Sequence, residues 1–276
     1  MKLVNFLPSK RGRFFKVGAI TLQIETQDFL DATGITDVDT IAALDGILVP
    51  GIKNLGWSRF KAVYPMMGGL ASTVKFNLIN PLDTNAAHRL SSATPPTASA
   101  NGIQGNGISQ YYSTHLNPSL AIPSATSYSQ SVYSNSVVIS REQLEIGAVT
   151  QGNSTLISTR YIDNNTYFDN VCTTNNRVIV NNAGQTGLIL GSRVANNDSR
   201  GFVRGLQVGT TQTIIAGGLT SHDLILLAYN NSGTPAFFSN RALQFAHVGE
   251  GLTPTEVATM NTFVHNTQVA LARGAY

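Results

Sequence analysis

Charge is scarce in this chain, cysteine nearly absent, and no long apolar run is present. A single cysteine, Cys172, among 276 residues excludes an internal disulfide framework and a cysteine-based metal centre. Charged residues make up 12 % of the sequence, about half the usual share. No stretch approaches the eighteen or so apolar residues of a membrane-spanning helix. Near the start, the short apolar run Leu3 to Leu7 is closed at once by Pro8 and Lys10-Arg11-Gly12-Arg13. That is too short for a signal-peptide core, so the reading expects no signal peptide and synthesis in a cytoplasm. The phosphate-loop pattern G-x-x-x-x-G-K-[ST], the zinc pattern H-E-x-x-H and the nucleophile elbow G-x-S-x-G are all missing. The five histidines (88, 115, 222, 247 and 265) contain no pair at i+2 or i+4. They read as packed or surface residues, and the expectation is no metal and no cofactor.

Asn, Ser, Thr and Gly fill the space that charge leaves. From about residue 63 to 248 the chain breaks into short, β-branched, partly alternating pieces: "SVVIS", "STLISTRYI", "RVIVN", "TGLILGSRVA", "GFVRGLQVG", "TQTIIAG" and "DLILLAYN". Turn clusters such as "DNNTYFDN", "NNAGQTG", "ANNDSRG" and "NNSGTP" separate them. Closely spaced strands without intervening helices predict an all-β antiparallel sandwich of the jelly-roll kind. At this length such a domain buries roughly 75 % of its unfolded surface and needs no covalent staple.

Helix is expected at both ends. Residues 36–49, "TDVDTIAALDGILV", place Ile41, Leu44 and Leu48 on one face, with Thr36 as cap and Asp39 reaching back. Gly46 weakens that helix and Pro50-Gly51 is expected to end it. A second short helix is read in "IKNLGWSRF", with Trp57 as a packing anchor. Residues 254–273 carry the strongest local signal: Thr253 as N-cap, Pro254 at N1, Glu256 at N3 and Gly274 as the stop. The organisation expected is a basic arm over 1–25, a helical segment over 26–62 and the β domain over 63–276.

The arm concentrates the chain's positive charge. Residues 1–16 hold five cations and no acid, leaving 13 basic against 15 acidic groups elsewhere. Lys10, Arg11 and Arg13 next to Phe14 and Phe15 suit an arm that docks on another protein. Outside it, Arg141, Arg160, Arg177, Arg193, Arg200 and Arg204 are widely spaced and no RNA-binding aromatic motif accompanies them, so no nucleic-acid partner is expected.

Catalysis by a local carboxylate pair is disfavoured. Retaining glycosidases place acid and nucleophile roughly 5–5.5 Å apart, which on one strand calls for an i, i+2 or i+4 spacing. The one close pair in the strand region, Glu142 and Glu145, is odd-spaced, and no acid lies between Asp83 and Glu142. A polysaccharide depolymerase would therefore need carboxylates from distant strands, such as Glu142 or Glu145 with Asp163 or Asp223. Asp163, Asn165 and Asp169 offer calcium-type oxygens, but the run lacks a full binding loop and reads as an Asn/Asp turn. Tyr111, Tyr112, Tyr161 and Tyr167, with Asn164 between the last two, are candidates for stacking on and bonding to a sugar.

Three longer stretches carry a wider pattern. Trp57, Lys61, Ala62, Tyr64, Pro65, Gly68 and Gly69 form a "W-x-x-x-K-A-x-Y-P-x-x-G-G" run, read as the turn into the first strand. Lys75, Asn77, Leu78, Pro81, Asp83, Ala86, Arg89 and Leu90 form "K-x-N-L-x-x-P-x-D-x-x-A-x-R-L", with a turn at Asn80-Pro81 and Asp83. Phe245, Ala246, Gly249, Gly251, Leu252 and Thr253 precede a helix that closes on Leu271 and Arg273. Together, over roughly residues 29–273, these resemble a family of phage virion proteins known from phages of Bacteroidetes-type hosts. His88 stands where that pattern usually has an aromatic residue. The resemblance implies a concanavalin A-like (laminin-G-like) jelly roll and a non-enzymatic spike, fibre or tail component of a virion. It further implies other virion proteins as partners through the basic arm, a homo-oligomer, and a host-surface glycan as ligand. Depolymerase activity, or a purely structural capsid-vertex or connector role, are the alternatives.

Overall fold

The computed structural model describes residues 21–137, 141–173, 176–181, 184 and 186–274, and the backbone alone of 6–8 and 14–16. The anchor candidates Lys10, Arg11 and Arg13, and the side chains of Phe14 and Phe15, lie outside the described residues.

The strands of the two large sheets, in chain order, are β1 Phe60–Tyr64, β2 Tyr112–Ser113, β3 Tyr128–Ser134, β4 Ile146–Thr150, β5 Asn153–Ser158, β6 Asn165–Thr173 and β7 Val178–Asn181. They continue with β8 Gly187–Ala195, β9 Asp198–Val203, β10 Leu206–Gln212, β11 Ile225–Leu226, β12 Tyr229–Asn231, β13 Thr234–Ala236 and β14 Phe245–Gly249. A back sheet runs β10-β9-β8-β3-β14-β1, antiparallel throughout. A front sheet runs β7-β6-β5-β4-β11-β2, with β12 lying parallel to β4 and paired to β13. The chain is thus mostly an antiparallel β-sandwich. Ile146, Ile157 and Phe168 of the front sheet meet Val132, Ile189, Ala246 and Val248 of the back sheet in one core. Each such large side chain contributes roughly 1.5–3 kcal/mol on burial.

The other face of the back sheet is equally apolar, which is why β3 and β8 are buried along nearly their whole length. Val63, Tyr133, Leu188, Leu190 and Phe245 are covered by a helical layer made of α1 Ile24–Thr33, α2 Val38–Ala43, α3 Val49–Leu55 and α4 Pro254–Ala270. Helices from both ends of the sequence therefore share one core with the sheet. The capping box on α4 forms as expected, Thr253 accepting from the Glu256 backbone.

Several expectations shift in detail. Asp37, not Thr36, caps α2: its Oδ2 accepts from the Thr40 N–H at 2.9 Å and the Thr40 hydroxyl at 2.7 Å. Pro50-Gly51 does not end the helix. A π turn over Leu44–Leu48, in which the Val49 N–H bonds Leu44 O, precedes Pro50 and sets it in the first turn of α3, where its missing donor is harmless. The chain leaves helix only at Leu55 and passes through a 3₁₀ turn into β1. Trp57 is partly buried against the helical core. Tyr64-Pro65 and Gly68-Gly69 follow the first sandwich strand rather than lead into it. In "SVVIS" the described residues lie beyond the end of β3, and 138–140 are outside the described set. "TQTIIAG" is strand only through Gln212, after which Ile215 is exposed. "DLILLAYN" is two short strands, broken by Leu227 at φ +62°.

The three longer sequence stretches turn out to brace this frame. Asn77 accepts from the Val63 N–H at 2.9 Å and donates to Lys61 O and Ala87 O, each at 3.1 Å. Asp83 is held by Lys75 at 2.5 Å and Arg89 at 2.8 Å instead of closing its own turn. Gly69, at φ +71°, has the Ala100 backbone where a Cβ would sit. Arg273 is buried and donates to Pro65 O, Met66 O and Gln244 O. It ties the end of the described chain to the exit of β1.

Candidate functional site

Among the described residues, no helix covers the outer face of the front sheet. There Leu144, Val149, Leu156 and Tyr229 form a small separate cluster, with Tyr167 and Phe237 packed against it. Register explains the alternation. Phe168, Ile157 and Ile146 are opposed across β6, β5 and β4 and point inward, so Asp169, Leu156 and Gly147 point outward. Above this cluster lies an open pocket of about 200 Å³, lined by Leu144, Leu156, Tyr161, Tyr167, Arg177, Tyr229 and Phe237.

The β5–β6 turn builds one wall. Asn164 takes φ +65° at the tip, a conformation Asn tolerates better than most side chains. Asp163 accepts from the Asn165 backbone and side-chain amides, each at 3.0 Å, and from the Tyr167 phenol. Arg160 donates twice to Asn164 Oδ1, at 3.1 and 2.9 Å. The run thus forms an Asn/Asp turn, while Asp169 sits on β6 rather than in the loop, wholly buried.

This turn sets Tyr161 edge-on to Tyr167, with ring centroids 5.7 Å apart and an interplanar angle of 87°. Phe237 continues the wall, 6.4 Å from Tyr161 and 6.2 Å from Tyr229. It holds φ +54°, an unusual backbone state for a bulky residue, and its carbonyl accepts from the Leu144 N–H at 3.0 Å. Arg177 closes the far side: its guanidinium lies 5.1 Å over the Tyr167 ring and donates to Asp169 Oδ2 at 2.9 Å.

Electrostatics keep the pocket's hydroxyls protonated. Burial first, then Glu142, Tyr167 and Asp163, push the Tyr161 phenol up. Burial and then the Asp163 carboxylate do the same to Tyr167. Burial raises Tyr229 to about 12. Burial also lifts Asp169 to about 6 against the pull of Arg177, and its Oδ1 has no hydrogen-bond partner. Aromatic faces open to solvent, phenolic donors, amides and one guanidinium are groups that stack on sugar rings and bond their hydroxyls.

Of the residues expected from sequence, the structure brings together Tyr161, Tyr167 and Asn164. Tyr112 is buried in the sandwich core, because β2 turns its ring inward. Tyr111 packs on Phe238 at 6.2 Å and borders a different cleft. Sequence reasoning missed Arg177, Tyr229 and Phe237. They come from segments far apart in the chain, and only the "NNSGTP" turn between Tyr229 and Phe237 hinted that a hairpin places them side by side. Of the carboxylates considered for a depolymerase, Glu145 and Asp223 lie away from the aromatic pocket, whereas Glu142 and Asp163 both lie near Tyr161. Glu145 is fully buried against Arg241 at 3.4 Å and receives the Thr159 N–H at 2.7 Å. Asp223 lies beside His115 at the second cleft. Glu142 is exposed and, with Asp163, acts on Tyr161.

The fold and site define an antiparallel β-sandwich with one sheet face covered by helices and the opposite one carrying an open aromatic pocket. No family model and no curated protein matches this sequence. Among solved structures, a leech intramolecular trans-sialidase complexed with 2,7-anhydro-Neu5Ac aligns at 13 % identity and TM-score 0.42, over 55 % of this chain and 26 % of that one. A Ruminococcus gnavus IT-sialidase CBM40 aligns at 11 % identity and TM-score 0.40, over 57 % and 96 %. A Trypanosoma rangeli sialidase complexed with sialic acid aligns at 9 % identity and TM-score 0.41, over 74 % and 32 %. The chain spans about a quarter of the leech enzyme's length.

Proposed function

We propose that this chain is a carbohydrate-binding protein of a phage particle, built on a concanavalin A-like jelly roll, whose aromatic pocket engages a host-surface glycan. The observation that carries the ligand assignment is the pocket formed by Tyr161, Tyr167, Tyr229, Phe237 and Arg177. It lies on the one broad sheet face that no helix covers. At about 200 Å³ it is smaller than the 300 Å³ and more typical of drug-sized ligands, and suits a single sugar ring of a longer chain. In this reading the pocket binds rather than cuts, with Asp163 engaged by the Tyr167 phenol and the Asn165 amides.

The particle assignment rests on the resemblance of the three sequence stretches to phage virion proteins, with the basic arm as the attachment to other virion proteins. Two experiments test the halves separately. An array of capsular and cell-wall polysaccharides should retain the protein on at least one glycan, with no new reducing ends appearing. Antibody labelling of purified particles should find the protein on their surface, and its absence from the particle would remove the virion half.

A further inference from the structure

The second cleft contains chemistry the aromatic pocket lacks. It is a cavity of about 310 Å³ whose lining includes Tyr111, Ser113, Ser221, His222, Asp223 and Ile225. Asp223 of that lining converges with two residues beside the cleft, Ser91 and His115. Ser91 Oγ lies 2.6 Å from His115 Nε2. His115 Nδ1 lies 3.8 Å from Asp223 Oδ2. Ser91 is bridged directly to Ser113, which lines the cleft. All three are partly accessible to solvent, with the His115 and Asp223 side chains 21 % and 39 % exposed.

We propose that Ser91, His115 and Asp223 form a nucleophile–base–acid triad that hydrolyses short-chain carboxylic esters. The three roles follow from the contacts. Asp223 beside Nδ1 favours the tautomer with the proton on Nδ1, which leaves Nε2 to accept the Ser91 hydroxyl proton. The 3.8 Å separation exceeds hydrogen-bond length, as contacts in unliganded sites often do before substrate draws them in. Burial, reinforced by Arg89 and His88 and opposed by Asp223, holds His115 below its ordinary value, so its imidazole is a neutral base at pH 7.

The histidine is also held in place. His115 adopts φ +52°, its N–H donates to Ser113 Oγ at 3.2 Å, and its carbonyl meets His88 Nδ1 at 3.0 Å. A backbone state this unusual, fixed from two sides, is the kind of cost that functional sites carry.

In the reaction, Ser91 Oγ attacks the ester carbonyl carbon while its proton passes to His115 Nε2. The carbonyl π bond reforms as the alcohol leaves, taking that proton and giving an acyl-serine. Water then attacks the acyl carbon, again losing a proton through His115, and releases the carboxylic acid and free Ser91. Only ester and water are consumed. The size of the cleft and its mainly polar lining select a small acyl group on a polar alcohol over a long fatty chain.

The test uses the full chain with a fluorophosphonate probe, followed by peptide mapping, together with p-nitrophenyl acetate and p-nitrophenyl laurate turnover. Attack on the probe forms a P–O bond at Ser91, breaks P–F and releases fluoride. We expect one adduct per chain, mapped to Ser91, and acetate turnover that Ser91→Ala abolishes and Asp223→Asn lowers at least about tenfold. No adduct on folded wild-type protein, an adduct on another residue, or equal turnover by wild type and Ser91→Ala would overturn the triad. Faster turnover of laurate than acetate would overturn the substrate class. The outcome is independent of glycan binding at the aromatic pocket.

Discussion

Asp169, buried on the front sheet, bonds to Arg177 in the wall of the aromatic pocket. Asp169 is wholly buried with one oxygen bonded to Arg177 and the other without a partner, which fits a carboxyl that holds its proton to about pH 6. The sign follows from linkage. The folded state binds this proton more tightly than the unfolded chain does, so the group's contribution is full below about pH 4 and is lost as pH rises through about 6. A rise of about two pH units corresponds to roughly 3 kcal/mol. Asp169→Asn removes the titration. Urea unfolding of both proteins at pH 4 and pH 7 should shift in favour of the variant by about that amount between the two pH values. Neither Asp169's burial nor its pairing was legible in the sequence, where it looked like one more oxygen in a polar turn. A register of opposed strands, which no local pattern states, decides which face it takes.

At the scale of elements, the helical layer gives a sharper case of what sequence shows and omits. In sequence Gly46 reads as a weak point inside the helix and Gly51 as part of its stop, whereas the structure sets both in one helical stretch. A Cβ at Gly46 would meet nothing within 4 Å, whereas at Gly51 it would lie 2.3 Å from the Phe263 ring of α4. Gly46→Ala should therefore stabilise by about 0.4–1 kcal/mol through the unfolded chain. Gly51→Ala should destabilise by about 1–3 kcal/mol through overpacking between α3 and α4. Thermal unfolding of the two single variants separates these outcomes. The amphipathic stripe and the Thr253 capping box were readable because they are local. The π turn that carries the helix past Pro50 was not, because propensity rules treat proline after a helical run as a stop. Strands were legible wherever alternation or a full apolar run was clean, as in β8. They were misjudged where exposed β-branched residues such as Ile215 imitate a strand in an open loop.

For the whole molecule, Arg273 adds a polar tie between the helical layer and the back sheet to the apolar cores that join them. Its guanidinium is buried with no carboxylate partner among the described residues, and burial lowers its pKa only to about 10, so it stays charged while donating to the carbonyls of Pro65, Met66 and Gln244. Arg273→Met leaves those carbonyls unpaired and should cost about 3 kcal/mol in equilibrium unfolding. The layered design also explains where binding chemistry is placed. One face of the back sheet is spent on the helices and the sandwich interior on packing, so the outer face of the front sheet is free to present aromatic rings. The sequence named Tyr161, Tyr167 and Asn164 of that face, since they lie within one turn of each other. Arg177, Tyr229 and Phe237 join them only through the fold.

The most direct test of the central claim is a quantitative binding titration on the polysaccharide that the array identifies, comparing wild type with Tyr161→Ala. Losing the partly exposed ring from the pocket wall should weaken binding about tenfold, the equivalent of roughly 1.4 kcal/mol, with the unfolding transition unchanged. A polysaccharide bound equally by wild type and Tyr161→Ala, or no polysaccharide bound at all, would contradict a carbohydrate site on this face.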